Sequence, residues 1–258
     1  MNIAQTRKTY KAIWSLLVLM GATLQSSDNG ANPGGIYSFG NYPVDTTEIS
    51  ICRQDIRFIG SNIKRLVRLE RLDLSHNKLE SLPSEIGELK NLRCLDLGYN
   101  QFESFPTVIG KLENLYVLEL YKNNLESLPD VIGKLKNLGM LNLGNNKLET
   151  LPPVIGELED LGILYLHENN LKTLPDVIVK LRKLHDLYLS NNKLETLPAK
   201  LEELENLSTL SLDENNIKTL PDVIVKLRNL RGLYLNDNKL ETLPAAIGEL
   251  EHLRELNL

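Results

Sequence analysis

The chain has 258 residues, 42% of them apolar and 24% charged, with a net charge of −5 at pH 7. That length is enough to bury a large core in one or two domains. The acidic balance argues against nucleic acid or an anionic lipid surface as partner, since both need clustered cations.

The first 27 residues stand apart. "MNIAQTRKTYK" is polar and carries Arg7, Lys8 and Lys11 with no acid, so residues 28–258 net −8. "AIWSLLVLMGATL" (12–24) is an apolar run of 13 residues, and "QSS" turns polar again. A charged start, an apolar middle and a small-residue end have the order of a secretory signal peptide. The run is shorter than the roughly 20 residues a membrane-spanning helix needs. Residues 1–27 therefore read as a signal peptide and the protein as secreted or in the secretory pathway, with no stable membrane span beyond that leader. An uncleaved tail and a cytoplasmic location are the alternative. Cys52 and Cys94 are the only cysteines, too few to staple a domain in the manner of small exported proteins. Residues 28–45, "DNGANPGGIYSFGNYPVD", are rich in Gly, Pro and Asn and read as a flexible lead-in.

From Leu69 the chain repeats every 23 residues, with cuts at Leu92, Leu115, Leu138, Leu161, Leu184, Leu207, Leu230 and Leu253. The shared pattern is LxxLxLxxNxLxxLPxxIxxL. Its ninth position is Asn in all eight full units (Asn77, Asn100, Asn123, Asn146, Asn169, Asn192, Asn215 and Asn238) and its fifteenth is always Pro. The LxL centre has the period of a strand, so stacked units place their strands in one parallel sheet. The Asn row follows the strand, where an amide can satisfy backbone groups of its own and the adjacent turn. Pro fixes φ at the corner before a short outer segment, and Ile at position 18 and Leu at 21 return that segment to the core. Residues 46–68 read as a degenerate capping unit, with Ile49, Ile51, Ile56, Ile59, Ile63 and Leu66 in the core positions but Gln54 and Gly60 replacing Asn and Pro.

This pattern resembles the leucine-rich repeat family, and its LPxxIGxL variety is similar to the Ras-group and scaffold-type repeats. The resemblance implies an α/β leucine-rich repeat solenoid: a curved horseshoe with the parallel sheet on its concave face and short helical or 3-10 segments on its convex face. "NNKLETLP" recurs at 145–152 and 191–198, and "DNKLETLP" at 237–244, so a two-unit block of 46 residues is the simplest origin. Positions 20 and 22 alternate in sign between units (Glu157/Glu159, Lys180/Arg182, Glu203/Glu205, Lys226/Arg228, Glu249/Glu251), which predicts opposite charges side by side on the outer surface. After Leu253 only "LRELNL" remains. Fraying, a fragment end and end-to-end self-association through this turn are all open.

No phosphate loop, HExxH, GxSxG or CxxC motif is present. His167 and His185 fall on neighbouring units without a third ligand, and a solvated pair is expected there rather than a metal site. Cys52 and Cys94 lie two units apart, beyond disulfide reach. No enzyme, cofactor or metal is expected, and what remains is surface. Positions 3 and 5 of each unit point out of the concave face. The middle of that face should present Val117, Tyr121, Met140, Ile163, Tyr165 and Tyr188 to solvent, with Tyr234 further along the same column. An exposed apolar and aromatic patch marks a protein-binding surface; the alternative is that these residues are simply good strand formers. Asp73, Asp96 and Glu119 stack like charges on neighbouring strands, which suits a cationic partner or, equally, solubility. The reading is a noncatalytic interaction module that binds a protein partner on its concave face, exported or surface-associated. A self-associating structural protein and an intracellular signalling scaffold are the other readings.

Overall fold

The computed structural model describes residues 36–258. The signal-peptide reading of 1–27 and the first part of the lead-in lie outside the described residues.

Ten strands form one parallel sheet: β2 (Glu48–Ser50), β4 (Arg71–Asp73), β5 (Cys94–Asp96), β6 (Val117–Glu119), β7 (Met140–Asn142), β8 (Ile163–Tyr165), β9 (Asp186–Tyr188), β10 (Thr209–Ser211), β11 (Gly232–Tyr234) and β12 (Glu255–Asn257). They run in chain order, and every pair keeps the same offset: Leu72 faces Leu95, Leu95 faces Leu118, Leu118 faces Leu141. A second parallel pair, β1 (Ile36–Tyr37) with β3 (Phe58–Ile59), closes the N-terminal end. The architecture is the expected horseshoe solenoid, with the sheet inside and 3-10 turns outside.

The leucine columns account for the core. Position 4 is fully buried from Leu72 through Leu233, and positions 1 and 6 are buried from Leu69 and Leu74 through Leu230 and Leu235. Each such side chain contributes about 1.5–3 kcal/mol on burial. At the outer corner Pro83, Pro106, Pro129, Pro152, Pro175 and Pro221 stand directly before the 3-10 turns in extended backbone, with φ between −66 and −78. After Pro198 and Pro244 the turn is shorter, Leu201–Glu203 and Ile247–Glu249.

The asparagine row is a continuous ladder. Asn146 is representative: its Oδ1 accepts the Leu125 N–H at 3.0 Å, while its Nδ2 donates to the Leu120 and Leu143 carbonyls at 3.0 Å. One side chain thus ties its own turn to the one before. Just ahead of it, position 8 is left-handed in every unit: His76, Tyr99, Lys122, Asn145, Glu168, Asn191, Glu214 and Asp237 all have φ of 53 to 55. No glycine stands there, so the ladder holds a conformation that costs most L-residues about 1–2 kcal/mol. A second, shorter amide row lies at position 23. Asn91, Asn114, Asn137, Asn206 and Asn229 each donate to a carbonyl of the preceding unit at 2.7–2.9 Å. Where this row is interrupted, Asp160 and Lys183 form an ion pair at 2.5 Å instead.

Two expectations need correction. Residues 36–45 are not a loose lead-in: Tyr37, Phe39 and Tyr42 are 3%, 0% and 5% exposed and belong to the main core. Their rings meet at 5.3 and 6.2 Å. They cover the open end of the first turn, which would otherwise face water. On the outer surface the charge pairing is diagonal rather than side by side. Lys136 meets Glu157 and Arg182 meets Glu203, each at 2.8 Å, so position 22 of one unit reaches position 20 of the next. Exposed pairs of this kind contribute about 0–1 kcal/mol. Among the described residues, no helix is long and apolar enough to cross a membrane.

Candidate binding face

Strand alternation sends positions 4 and 6 into the leucine core and positions 3 and 5 to the concave face. The fixed register then brings equivalent positions of neighbouring strands together at about 4.8 Å. On β5–β9 this gathers Cys94, Val117, Met140, Tyr165 and Tyr188 into a second apolar cluster, separate from the core, with Ile163 packed beside it. The Tyr165 and Tyr188 rings are stacked, 4.6 Å between centroids and 6° from parallel.

The patch differs from the expected one in its exposure. Val117, Met140, Tyr165 and Tyr188 are only 1%, 3%, 1% and 7% exposed, so they do not stand open to solvent. Packing between register neighbours removes the sides of these chains from water. Tyr121 lies outside the cluster, half-buried, and Tyr234 stands apart on β11, hydrogen-bonded to Glu255.

Tyr121 belongs instead to a row of rings that follows the concave rim. His76 stacks on Tyr99 at 3.9 Å, Tyr99 meets Tyr121 edge-on at 5.3 Å, and Tyr121 meets His167 at 5.6 Å. His167 then meets Tyr165 edge-on at 6.1 Å, joining the row to the cluster. The Lys122 ammonium lies 5.0 Å from the centre of the Tyr99 ring and 5.9 Å from that of Tyr121. His76 was not among the residues singled out from the sequence, and His167 was considered only with His185, as a solvated pair. Their signal was present: His76 and His167 occupy positions 8 and 7, beside the Tyr99 and Tyr121 columns. His185 does not join His167, pairing with Asp186 at 3.0 Å instead.

The acidic column has a structural part. The Asp73 carboxylate accepts from the Ser50 hydroxyl and the Ser75 N–H, both at 2.9 Å, and Asp96 accepts the Gly98 N–H at 2.8 Å. Glu119 is buried and accepts from the Asn142 amide at 2.6 Å. Burial first, and the neighbouring Asp73 carboxylate second, push the Asp96 carboxyl up to about 7; the Gly98 N–H works against them. The folded protein thus holds this proton more tightly than the unfolded chain, so Asp96 erodes stability as pH rises through about 4 to 7. Asp96→Asn keeps the acceptor for Gly98 and removes the charge. Its urea midpoint should match the wild type near pH 4 and exceed it at pH 7.5; a difference independent of pH would contradict this assignment.

The face holds no activated nucleophile. Burial pushes the Cys94 thiol up to about 11, against the lowered value a reactive cysteine needs. Burial lowers His167, and burial with the Arg53 charge lowers His76, so both rings favour the neutral form. Among the described residues no three His, Cys, Asp or Glu side chains are grouped to hold a metal ion.

A family model described as a leucine-rich repeat region matches residues 48–146 and 178–258. No curated protein matches the chain. Among solved structures, a leucine-rich repeat protein of Leptospira interrogans is 39% identical with a TM-score of 0.81, over 83% of this chain and 55% of that one. An internalin of Listeria monocytogenes is 22% identical with a TM-score of 0.72, over 83% and 61% of the two chains, a likeness of fold alone. A plant peptide hormone receptor, solved in complex with RGF2, is 28% identical with a TM-score of 0.64, over 83% and 40%. The chain thus spans 40–61% of the length of these three proteins.

Proposed function

Because the chain belongs to the leucine-rich repeat family, we propose that it is a noncatalytic module that binds a protein partner through its concave face. The observation that carries this reading is the second apolar cluster. Cys94, Val117, Met140, Tyr165 and Tyr188 point away from the leucine core yet pack together on the inner strands, where the leucine columns gain nothing from them. Large aromatics on a concave wall supply contact area with a polar tip, the composition of interface anchors. The similarity to a hormone receptor solved with its peptide is consistent with this use of the fold.

The test begins with a partner captured by the full chain and measures its affinity for Tyr165→Ala/Tyr188→Ala. Affinity should fall at least tenfold while the far-ultraviolet spectrum keeps its folded form, since no core leucine is touched. Unchanged affinity would remove the cluster from the site. Export is part of the proposal, supported by the order of charge and apolarity in residues 1–27; mass spectrometry of the natural N-terminus decides whether they are removed. A second reading has its own observation. β12 forms the sheet edge with Leu256 and Leu258 38% and 63% exposed, which favours end-to-end self-association. Light scattering showing a monomer at every concentration would eliminate it.

A further inference from the structure

We propose that the concave face takes an extended segment of the partner, basic at both ends and apolar or aromatic between, lying across the strands from β4 to β10. This rests on the reading of that face as the binding site and adds the chemistry of its occupant. One basic end meets Asp73 and Asp96, the other meets Asp186 and Asp213, and the middle covers the apolar cluster.

Three observations converge. First, the inner wall is selectively acidic. From β2 to β12, positions 3, 5 and 7 carry seven carboxylates and one Lys or Arg. That one, Arg71, is paired with Glu48, which leaves Asp73, Asp96, Glu119, Asp186, Asp213 and Glu255. Taking the seven acids and one base from the chain's 34 and 29 leaves 27 and 28, so the net negative charge is gathered on this wall. These carboxylates bond hydroxyls, amides and one imidazole. Burial, and then the Asp73 carboxylate, hold the Asp96 proton up to about 7; a basic side chain seated between the two would take that proton's place. Second, the order along the sheet is acidic, apolar, acidic: Asp73 and Asp96 on β4 and β5, the cluster across β5–β9, then Asp186 on β9 and Asp213 just past β10. Third, the dimensions suit one extended chain. β4 to β10 is six strand spacings, about 29 Å, which about nine extended residues cover. Strands of three residues make the wall about 10 Å across, and the row of rings from His76 to His167 runs along one side. A helix with its side chains is about 10–12 Å wide and would meet that row.

The test uses the full chain and three fluorescein-labelled nonapeptides, read by anisotropy. The first has two arginines at each end around five leucine and tyrosine residues. The second has glutamates for the arginines, and the third has serines for the middle five. The first should bind at least tenfold more tightly than either of the others, and raising the salt should narrow its lead over the glutamate peptide. Asp73→Asn/Asp186→Asn/Asp213→Asn should abolish that lead, and Tyr165→Ala/Tyr188→Ala should weaken the first peptide at least tenfold. Asparagine keeps an acceptor oxygen at each of the three positions, and an unchanged far-ultraviolet spectrum controls for folding. No binding of the first peptide, equal binding of the glutamate peptide, or a lead that survives the three asparagines would overturn the proposal. A dimer in light scattering that shuts out the first peptide would overturn it too, in favour of a second copy. If the peptides bind alike while Tyr165→Ala/Tyr188→Ala still weakens the captured partner, the basic-ended segment falls and the binding face stands.

Discussion

Asn146→Ala should destabilise the protein by roughly 3 kcal/mol or more. The substitution orphans the Leu125 N–H and removes the donor shared by the Leu120 and Leu143 carbonyls. A buried backbone group left without a partner costs about 1–3 kcal/mol, and Asn146 is only 8% exposed. The loss falls at a junction between turns, in an array whose turns are stabilised by their neighbours. Urea unfolding of the variant should therefore lose its single cooperative transition and separate into two, one for each side of the break. Asn238→Ala removes the same set of bonds near the sheet edge, where its side chain is only part-buried. Water can replace some of them there, so its loss should be smaller and the transition should stay single. Equal effects at the two positions, or a loss below about 1 kcal/mol at Asn146, would mean that the ladder is not what holds the turns in step.

Phe39→Ala should cost about 3–5 kcal/mol, the range for deleting a buried aromatic ring. Phe39 is fully buried and bridges Tyr37 and Tyr42, whose hydroxyls meet at 3.1 Å. Its removal uncovers the first turn but leaves the later leucine columns intact. Amide exchange should accelerate in β1–β3 and stay slow in β8–β11. Uniform acceleration along the sheet would show that the N-terminal cap is coupled to the whole array, and no acceleration would show that the cap is dispensable.

The contrast between these two residues shows what the sequence makes legible. Asn146 was identifiable because its reason recurs: the same corner, with the same exposed backbone groups, is built eight times. Phe39 has no such copy. It sits in "YSFGNYP", whose turn-forming residues read as lead-in while three aromatics did the covering. Position 8 was hidden for the opposite reason. Its left-handed backbone is imposed by the corner, so the letters vary from His76 to Glu214 and no glycine signals it. For the candidate site, alternation placed Val117, Met140, Ile163, Tyr165 and Tyr188 on the correct side of the sheet. It could not give their exposure, because period 2 sorts side chains between faces and is silent on what lies over a face. The rim row was half legible: Tyr121 stood out as an aromatic, whereas His167 read as half of a solvated pair with His185 until ring contacts joined it, Tyr99 and His76 into one row.

The constant offset between strands has a last consequence. In the core every seam inside the regular array is like every other, Leu118 on Leu141 no different from Leu187 on Leu210. Splicing one 46-residue block in or out there would reunite matching leucine edges, leaving the core leucines on either side in their former surroundings. The inner wall would widen or narrow by about 10 Å, two strand spacings, so the molecule's reach can change by whole steps without a new fold having to be found.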